Sequence, residues 1–147
     1  MKPEFMVQAV EQAKFSGEDV PVGCVIVKDG EVLASACNER EKLGKISAHA
    51  EILAIEQAEK SLKTWKLDEC EMYVTLEPCP MCASAIVQAR LKTVYFGAYD
   101  SVYGAFGSKT DMREIMNSKQ PKVFGGIMEK ECRELILEFF GNLRKND

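Results

Sequence analysis

The segment from residue 20 to residue 37 places the tightest constraint on the fold. Residues 20–27 form a nearly continuous apolar run rich in β-branched side chains, which is typical of a strand buried on both faces. The dipeptide Asp29-Gly30 follows and favours a two-residue hairpin turn. Residues 31–37 then predict an antiparallel return strand. The sheet therefore begins with a hairpin whose first strand lies in the sheet interior.

Helices and strands alternate around this hairpin. Apolar periodicity predicts helices over residues 5–15, 48–62 and 80–90, and a last helix whose apolar stripe is Cys132, Leu135, Ile136, Phe139 and Phe140. Further strands are predicted at residues 72–76, 92–98 and 123–124. We therefore expect one domain over residues 1–147. It would be a three-layer α/β/α sandwich, with a mixed five-stranded sheet covered by helices on both faces.

The composition is that of an ordinary globular protein. The chain has 147 residues, of which 46% are hydrophobic and 29% charged, enough for one hydrophobic core. No apolar run approaches the roughly 18 residues of a membrane helix. The first five residues, Met1-Lys2-Pro3-Glu4-Phe5, lack the apolar core of a signal peptide. We expect a cytoplasmic protein with no membrane partner.

The cysteines indicate a reduced protein with one functional pair. A chain of this length without a signal sequence should keep its thiols reduced. We expect two cysteines to act chemically and four to fill the core as small hydrophobic residues. The six are Cys24, Cys37, Cys70, Cys79, Cys82 and Cys132.

Two short motifs bring together the ligands that zinc prefers. Cys79 and Cys82 lie three residues apart at the predicted start of a helix, where they share one face and where thiolates are stabilised. His49, the only histidine, opens another predicted helix after Ser47, a suitable N-cap. Two thiolates and one imidazole would leave a fourth position open, as in catalytic zinc sites. The motifs therefore predict Zn²⁺ bound by His49, Cys79 and Cys82.

Glu51 is the predicted catalytic acid–base group. In a regular helix it lies about 200° around the axis from His49, so the two cannot share a metal beside the helix. Beyond the helix end, the Glu51 carboxylate can approach water on the zinc instead of the zinc itself. Zinc lowers the pKa of bound water toward about 7. Glu51 would take a proton from this water and deliver it to the substrate.

Simpler interpretations exist for each of these residues taken alone. A lone His49 is more often a hydrogen-bonded core residue, and Glu51 an exposed helix charge. Cys79 and Cys82 alone would suit a pair of core thiols or a redox pair. A non-catalytic zinc module would require a fourth protein ligand, and the sequence offers none near the motifs. The combination of all four residues favours catalytic zinc.

The same residues resemble a known superfamily. A His-x-Glu motif followed by Pro-Cys-x-x-Cys is the signature of the cytidine deaminase-like zinc enzymes. Over almost its whole length the chain is also similar to the bacterial tRNA-specific adenosine deaminases. The matching segments are residues 20–23, 38, 49–55, 65–67, 73–82, 97–100, 104–108 and 139–140.

The resemblance implies a homodimer that deaminates adenosine to inosine at the wobble position of tRNA, with the tRNA anticodon loop as partner. It implies that Asn38 and the backbone of Ala50 contact the target nucleotide, that Val22 walls the pocket and that Asp100 lies along the anticodon loop. Three of these positions also have simpler interpretations. Asn38 suits a turn, Val22 suits the core and Asp100 suits a loop cap.

Three departures from the family pattern keep a second substrate class open. Lys45-Ile46-Ser47 stands where the family has Asp-Pro-Thr, and Ser118 replaces a histidine. Gly141 replaces a basic residue, and Arg144 and Lys145 arrive only later. These changes and the net charge of −4 suit a zinc deaminase of free bases or nucleosides, of the guanine or cytosine type.

The end of the chain bears on this choice of substrate. Residues 141–147 are mostly polar and offer no apolar tail to close over a small ligand, which favours a base still attached to its strand. Phe140 could stack on RNA, but the periodicity of the last helix favours a position in the core. The basic residues that could gather beside the site are Arg90, Lys92, Lys109, Arg113, Arg144 and Lys145.

Overall fold

A computed structural model describes residues 1–145 as one sheet between two layers of helices. The strands are β1 (Gly23–Lys28), β2 (Glu31–Cys37), β3 (Cys70–Leu76), β4 (Thr93–Ala98) and β5 (Lys122–Phe124). The helices are α1 (Pro3–Ala13), α2 (Arg40–Leu43), α3 (Ala50–Leu62), α4 (Pro80–Gln88), α5 (Met112–Ile115) and α6 (Glu129–Lys145). The predicted three-layer sandwich is confirmed. The predicted polar end at Asn146 and Asp147 lies outside the described residues.

The sheet is mixed, in the order β2-β1-β3-β4-β5. Strand β1 pairs antiparallel with both β2 and β3, whereas the β3–β4 and β4–β5 pairs are parallel. Helix α4 connects the parallel strands β3 and β4, so it begins close to the carboxyl end of β3. Parallel strands joined in this way place loops and helix N-termini at one edge of the sheet, where ligands commonly bind.

Each face of the sheet has its own apolar core. Met72 and Phe96 belong to the core under α3 and α4, together with Ile86 of α4. Tyr73 points to the other face, where it packs with Phe5 of α1 in a core that also includes Cys132 of α6. Successive residues of a strand face opposite sides, which explains why Met72 and Tyr73 belong to different cores.

Two glycines allow helices to lie directly on the sheet. A Cβ atom on Gly23 would overlap the backbone oxygen of Ala9, so α1 touches β1 without an intervening side chain. A Cβ atom on Gly97 would overlap the Sγ and Cβ atoms of Cys132 in α6. Both helices therefore depend on the absence of a side chain at these strand positions.

Several predicted element boundaries differ from the structure for local reasons. Residues 20–22 lie outside β1, because Pro21 has no N–H to donate to a strand ladder. Pro3 opens α1 two residues before the predicted start, as proline suits the first helical position. Helices α2 and α5 have four residues each, too short for a periodic signal. Within residues 1–145, no helix combines the length and apolarity needed to cross a bilayer.

Candidate active site

The starts of α3 and α4 converge at the carboxyl end of β3. His49 and Cys79 are the N-cap residues of the two helices, and both have extended backbone conformations. The prediction that Ser47 caps α3 is wrong. The backbone N–H of Ala50 instead donates to Oδ1 of Asn38 at 2.8 Å, so the first turn of α3 receives its acceptor from another segment.

The predicted ligands lie together with spacings that suit zinc. The ligand atoms of His49, Cys79 and Cys82 all lie within 4.8 Å of one another. Nδ1 of His49 is 3.7 Å from Sγ of Cys79 and 3.5 Å from Sγ of Cys82. Tetrahedral zinc with ordinary Zn–S and Zn–N bond lengths separates sulfur from nitrogen by about 3.6 Å. No fourth side chain joins this group within residues 1–145, which leaves a position for water.

The two thiols have opposite pKa shifts. Hydrogen bonds, first from Cys82 and then from His49, lower the pKa of Cys79 to about 4 against the opposing effect of burial. The pKa of Cys82 is raised, first because it donates to Cys79 and then because it is buried. The hydrogen bond to Cys79 also raises the pKa of His49. Cys79 is therefore the thiol of this group that most favours the thiolate, the form in which cysteine binds a metal.

Glu51 lies in the first turn of α3, beside this group. Its side chain is only 4% exposed, so the alternative of an exposed helix charge is wrong. Burial raises the pKa of Glu51 to about 7. Glu51, His49 and Cys79 all line one pocket of about 750 Å³. This volume falls within the usual range of small-ligand sites.

Three of the four predicted substrate positions line this pocket: Val22, Asn38 and Asp100. Ala50 is fully buried and its N–H is directed to Asn38. The other end of the Asn38 amide donates to the backbone oxygen of Val20 at 3.0 Å. Their roles toward a substrate stay predictions.

The carboxylate of Asp100 shapes the loop in which it lies. Its Oδ1 atom accepts the backbone N–H groups of Val102 and Tyr103, each at 3.0 Å. Asp100 is therefore a loop cap in this structure, as its simpler interpretation proposed. Both of these hydrogen bonds use Oδ1, and Asp100 also lines the pocket. The predicted contact of Asp100 with the anticodon loop stays a prediction.

Sequence reasoning missed several residues of the pocket wall. Arg40 is the one Lys or Arg side chain among the described residues that line the pocket, and it lies in the short helix α2. The wall also includes Asp19, Glu77, Tyr99 and Tyr103. Most of these residues lie in loops, where periodicity carries no signal. For Tyr99, the one available sign of a functional position was that residues 97–100 match the family.

The expected cluster of basic residues beside the site is only partly present. Arg90 follows the far end of α4 and lies over the ring of Trp65, 5.3 Å from its centroid, because α4 leads away from the site. Arg113 is paired with Asp111 at 2.7 Å. The prediction for Arg90 is wrong. Arg113 does not line the pocket but lies near Glu77, which does. Arg144 and Lys145 are exposed at the end of α6.

Phe140 is a pocket residue and not the predicted core residue. It is 41% exposed and lines the pocket together with Ile136, one turn earlier in α6. Only Cys132 of this helix is buried, so α6 contacts the sheet near its start and then extends along the pocket. Ile46 lies in the segment Lys45-Ile46-Ser47, which differs from the family pattern. Its side chain is 78% exposed and lines the same pocket.

The first two thirds of the sequence match one family of zinc enzymes. The model of the cytidine and deoxycytidylate deaminase zinc-binding region matches residues 1–98, which include His49, Glu51, Cys79 and Cys82. This chain belongs to that deaminase family. The family and the spacing of the three ligand atoms together identify Zn²⁺ as the cofactor.

Individual relatives place the chain within the family. The tRNA-specific adenosine deaminase of Bacillus subtilis (strain 168) is 43% identical over 144 residues, covering 96% of this chain and 89% of the relative. A solved structure from a study of A-to-I editing by tRNA:A34 deaminases at the wobble position has a TM-score of 0.84 and 38% identity. It covers 91% of this chain and 99% of its own. The chain therefore groups with the tRNA-specific adenosine deaminases.

A free-base enzyme is also similar to this deaminase. The guanine deaminase of Bacillus subtilis has a TM-score of 0.66 and 36% identity, and the match covers 81% of this chain and 73% of that one. The fold is therefore shared by enzymes that act on different substrates. The residues around the pocket must determine which substrate is used.

Proposed function

We propose that this deaminase converts adenosine to inosine at the wobble position of a tRNA anticodon loop. The observation that carries the proposal is the similarity to the Bacillus subtilis tRNA-specific adenosine deaminase along nearly the whole of both chains. The pocket supports it. Ile46, Val102, Tyr103 and Phe140 line the pocket yet remain exposed, so a base that enters can stay attached to its strand.

His49, Cys79 and Cys82 would hold the zinc as two thiolates and one imidazole. Bound there, zinc acts as a Lewis acid and lowers the pKa of water to near neutrality. The carboxylate of Glu51 would accept one proton from the attacking water and donate it to N1 of adenine. It would then take the second proton from the hydroxyl added at C6 and donate it to the departing amine. A C6–O bond forms, the C6–N bond breaks, and the products are inosine and ammonia.

The pocket walls would hold the target nucleotide against Glu51. Val22 supplies apolar surface on one side, and Asn38 lies beside it with its amide. Arg40 offers a positive charge for a phosphate of the strand. Asp100 and the three residues after it also line the pocket. These contacts position the base, whereas the zinc site alone does not distinguish one aminated ring from another.

The proposal includes a homodimer in the cytoplasm, where its tRNA substrate is found. Apolar side chains that do not line the pocket remain exposed on the surface, among them Ile115, Leu137 and Leu143. Such surface suits contact with a second subunit. Sedimentation equilibrium should give twice the chain mass of 16.4 kDa. A mass equal to one chain at micromolar concentration would contradict the dimer.

A free-base deaminase is the second candidate, favoured by the similarity to guanine deaminase and the net charge of −4. Product analysis separates the two candidates. Zinc-loaded protein is incubated with total tRNA, free adenosine, cytidine and guanine in parallel, with Glu51→Gln as the inactive control. We expect inosine in tRNA digests and little turnover of the free compounds. Rapid turnover of guanine or cytidine without inosine in tRNA would support the second candidate instead.

A further inference from the structure

Glu77 is a buried carboxylate that is held by hydrogen bonds and not by a direct ion pair within residues 1–145. Its side chain is 2% exposed, and no ion pair within residues 1–145 involves it. Its hydrogen-bond donors come instead from one loop, residues 100–108. A buried charge requires such partners, because leaving it unpaired costs several kcal/mol. The loop and the carboxylate therefore depend on each other.

The hydrogen bonds reach both ends of this loop. Oε1 of Glu77 accepts the backbone N–H of Asp100 at 3.1 Å and the hydroxyl of Ser108. Oε2 accepts the backbone N–H groups of Phe106 and Ser108, both at 3.1 Å. The turn capped by Asp100 lies between these anchors. One side chain thus fixes where the loop leaves the sheet and where it returns.

A second feature shows how closely the loop is fitted to this carboxylate. A Cβ atom on Gly104 would lie 2.5 Å from Cδ and 2.6 Å from Oε1 of Glu77, and it would also overlap the backbone oxygen of Asp100. The loop backbone approaches the carboxylate too closely for any side chain at position 104. The next residue, Ala105, donates its N–H to the oxygen of Pro78 at 2.8 Å.

The anchored loop connects the metal site to the substrate pocket. Glu77 and Pro78 directly precede the zinc ligand Cys79, and residues 100–103 line the same pocket as Val22 and Asn38. Hydrogen bonds from the loop to residues 77 and 78 therefore set the distance between the metal ligands and the pocket wall. A loop that is held by hydrogen bonds of this kind positions a substrate more precisely than an unanchored loop does.

We propose that Glu77 is a positioning residue for the deaminase reaction. Its carboxylate holds the 100–108 loop as the wall against which the base and its flanking nucleotides bind. This inference relies on the proposed function only for the identity of the substrate. Glu77 does not move protons in the reaction, so its loss should weaken substrate binding more than the chemical step.

Glu77→Gln tests the inference, because an amide replaces one acceptor oxygen by a donor that faces the N–H groups of the loop. Glu69→Gln, on an exposed carboxylate before β3, is the matched control. Hydrogen exchange should accelerate about tenfold or more at the amides of Asp100, Phe106 and Ser108. The KM for tRNA should rise by a similar factor, with kcat changed far less and zinc still at one per chain.

A milder variant covers the case in which Glu77→Gln does not fold. Ser108→Ala removes only the hydroxyl donor and leaves three backbone donors on the carboxylate. Its changes in exchange and KM should be smaller and in the same direction. The affinity for tRNA can also be measured in the inactive Glu51→Gln enzyme, alone and combined with Glu77→Gln or with Ser108→Ala. This compares substrate binding in the absence of turnover.

The outcomes separate this inference from the proposed function. Unchanged loop exchange and unchanged tRNA affinity in both variants would overturn the role of Glu77. Zinc loss in Glu77→Gln with normal exchange of the loop amides would also overturn it, since Glu77 would then act on the ligands. A wild-type enzyme that leaves tRNA unmodified would refute the proposed substrate, while the exchange data would still test the loop.

Discussion

Asn38 and Ala50 are joined by a buried hydrogen bond of 2.8 Å, from the backbone N–H of Ala50 to Oδ1 of Asn38. This bond links the residue after β2 to the first residue of α3, directly beside His49. The amide of Asn38 also donates to Val20, so one side chain connects three segments. Asn38 therefore supports the metal-binding end of α3 whether or not it also contacts the substrate.

We expect Asn38→Ala to lower the free energy of unfolding by about 1–3 kcal/mol, because the buried N–H of Ala50 loses its acceptor. Urea denaturation of the zinc-loaded protein measures this change. Asn117→Ala, at an exposed asparagine, is the control and should stay within about 0.5 kcal/mol of wild type. Equal stability of the two variants would show that the hydrogen bond contributes nothing.

The second prediction concerns the metal. Purified protein should contain one zinc per chain, and Cys82→Ala should lose most of it, because a buried ligand disappears from a set of three. Metal analysis after dialysis measures the ratio. Cys132→Ala removes another buried thiol far from the ligands and should keep its zinc. Full zinc content in Cys82→Ala would refute the ligand assignment.

Glu51→Gln should keep zinc and lose activity. The amide preserves size and most contacts but cannot accept and return a proton, a contribution typically worth about 10²–10⁴-fold in rate. Single-turnover rates and metal analysis of the same sample give the two results together. Loss of zinc along with activity would instead identify Glu51 as a ligand.

Local sequence signals predicted much of the fold. The Asp29-Gly30 turn is the clearest case: both residues have positive φ angles, 51° and 77°, as a type I′ hairpin turn requires. The alternation of helices and strands predicted the mixed sheet and its two helical layers. The zinc ligands were predictable because three uncommon residue types occurred with a recognisable spacing.

Other features depend on contacts that local patterns do not encode. The acceptor that replaces Ser47 at the start of α3 comes from Asn38, in a different segment. Phe140 continues the apolar stripe of α6, yet burial ends where the helix leaves the sheet, and periodicity cannot locate that point. The role of Glu77 depends on the path of a loop more than twenty residues later.

A fourth prediction uses the pH dependence of stability. The Arg113 side chain, hydrogen-bonded to Asp111, lowers the pKa of that carboxyl in the folded protein. Its stabilising contribution is therefore present above the ordinary aspartate pKa, about 4, and is lost as the pH falls through the lower folded value. Asp111→Asn should cost about 1 kcal/mol at pH 7. The difference from wild type should shrink below pH 4, as measured by urea denaturation at each pH.

The control for this prediction is Glu114→Gln, an exposed carboxylate in the same short helix. It removes one negative charge at nearly the same place but has no hydrogen bond to Arg113 in the structure. Its effect on stability should be small and nearly independent of pH. A constant difference between Asp111→Asn and wild type at all pH values would contradict the ion-pair explanation.

The last prediction concerns RNA binding at the end of α6. Phe140 lines the pocket, and Arg144 follows four residues later, so the two share a face of the helix. Arg144 and Lys145 are exposed and pair with no acidic side chain within residues 1–145. A strand whose base occupies the pocket would bring its phosphates near these cations. Net charge of −4 does not prevent this, because affinity depends on charges at the contact.

We therefore expect the double variant Arg144→Ala/Lys145→Ala to bind tRNA more weakly and to flatten the plot of log affinity against log salt concentration. The slope should fall by about one unit for each phosphate that the two side chains neutralise. Lys60→Ala/Lys63→Ala removes the same charge at the far end of α3 and serves as the control. Equal slopes for the two double variants would show that α6 does not touch phosphate, because a general charge effect would act on both.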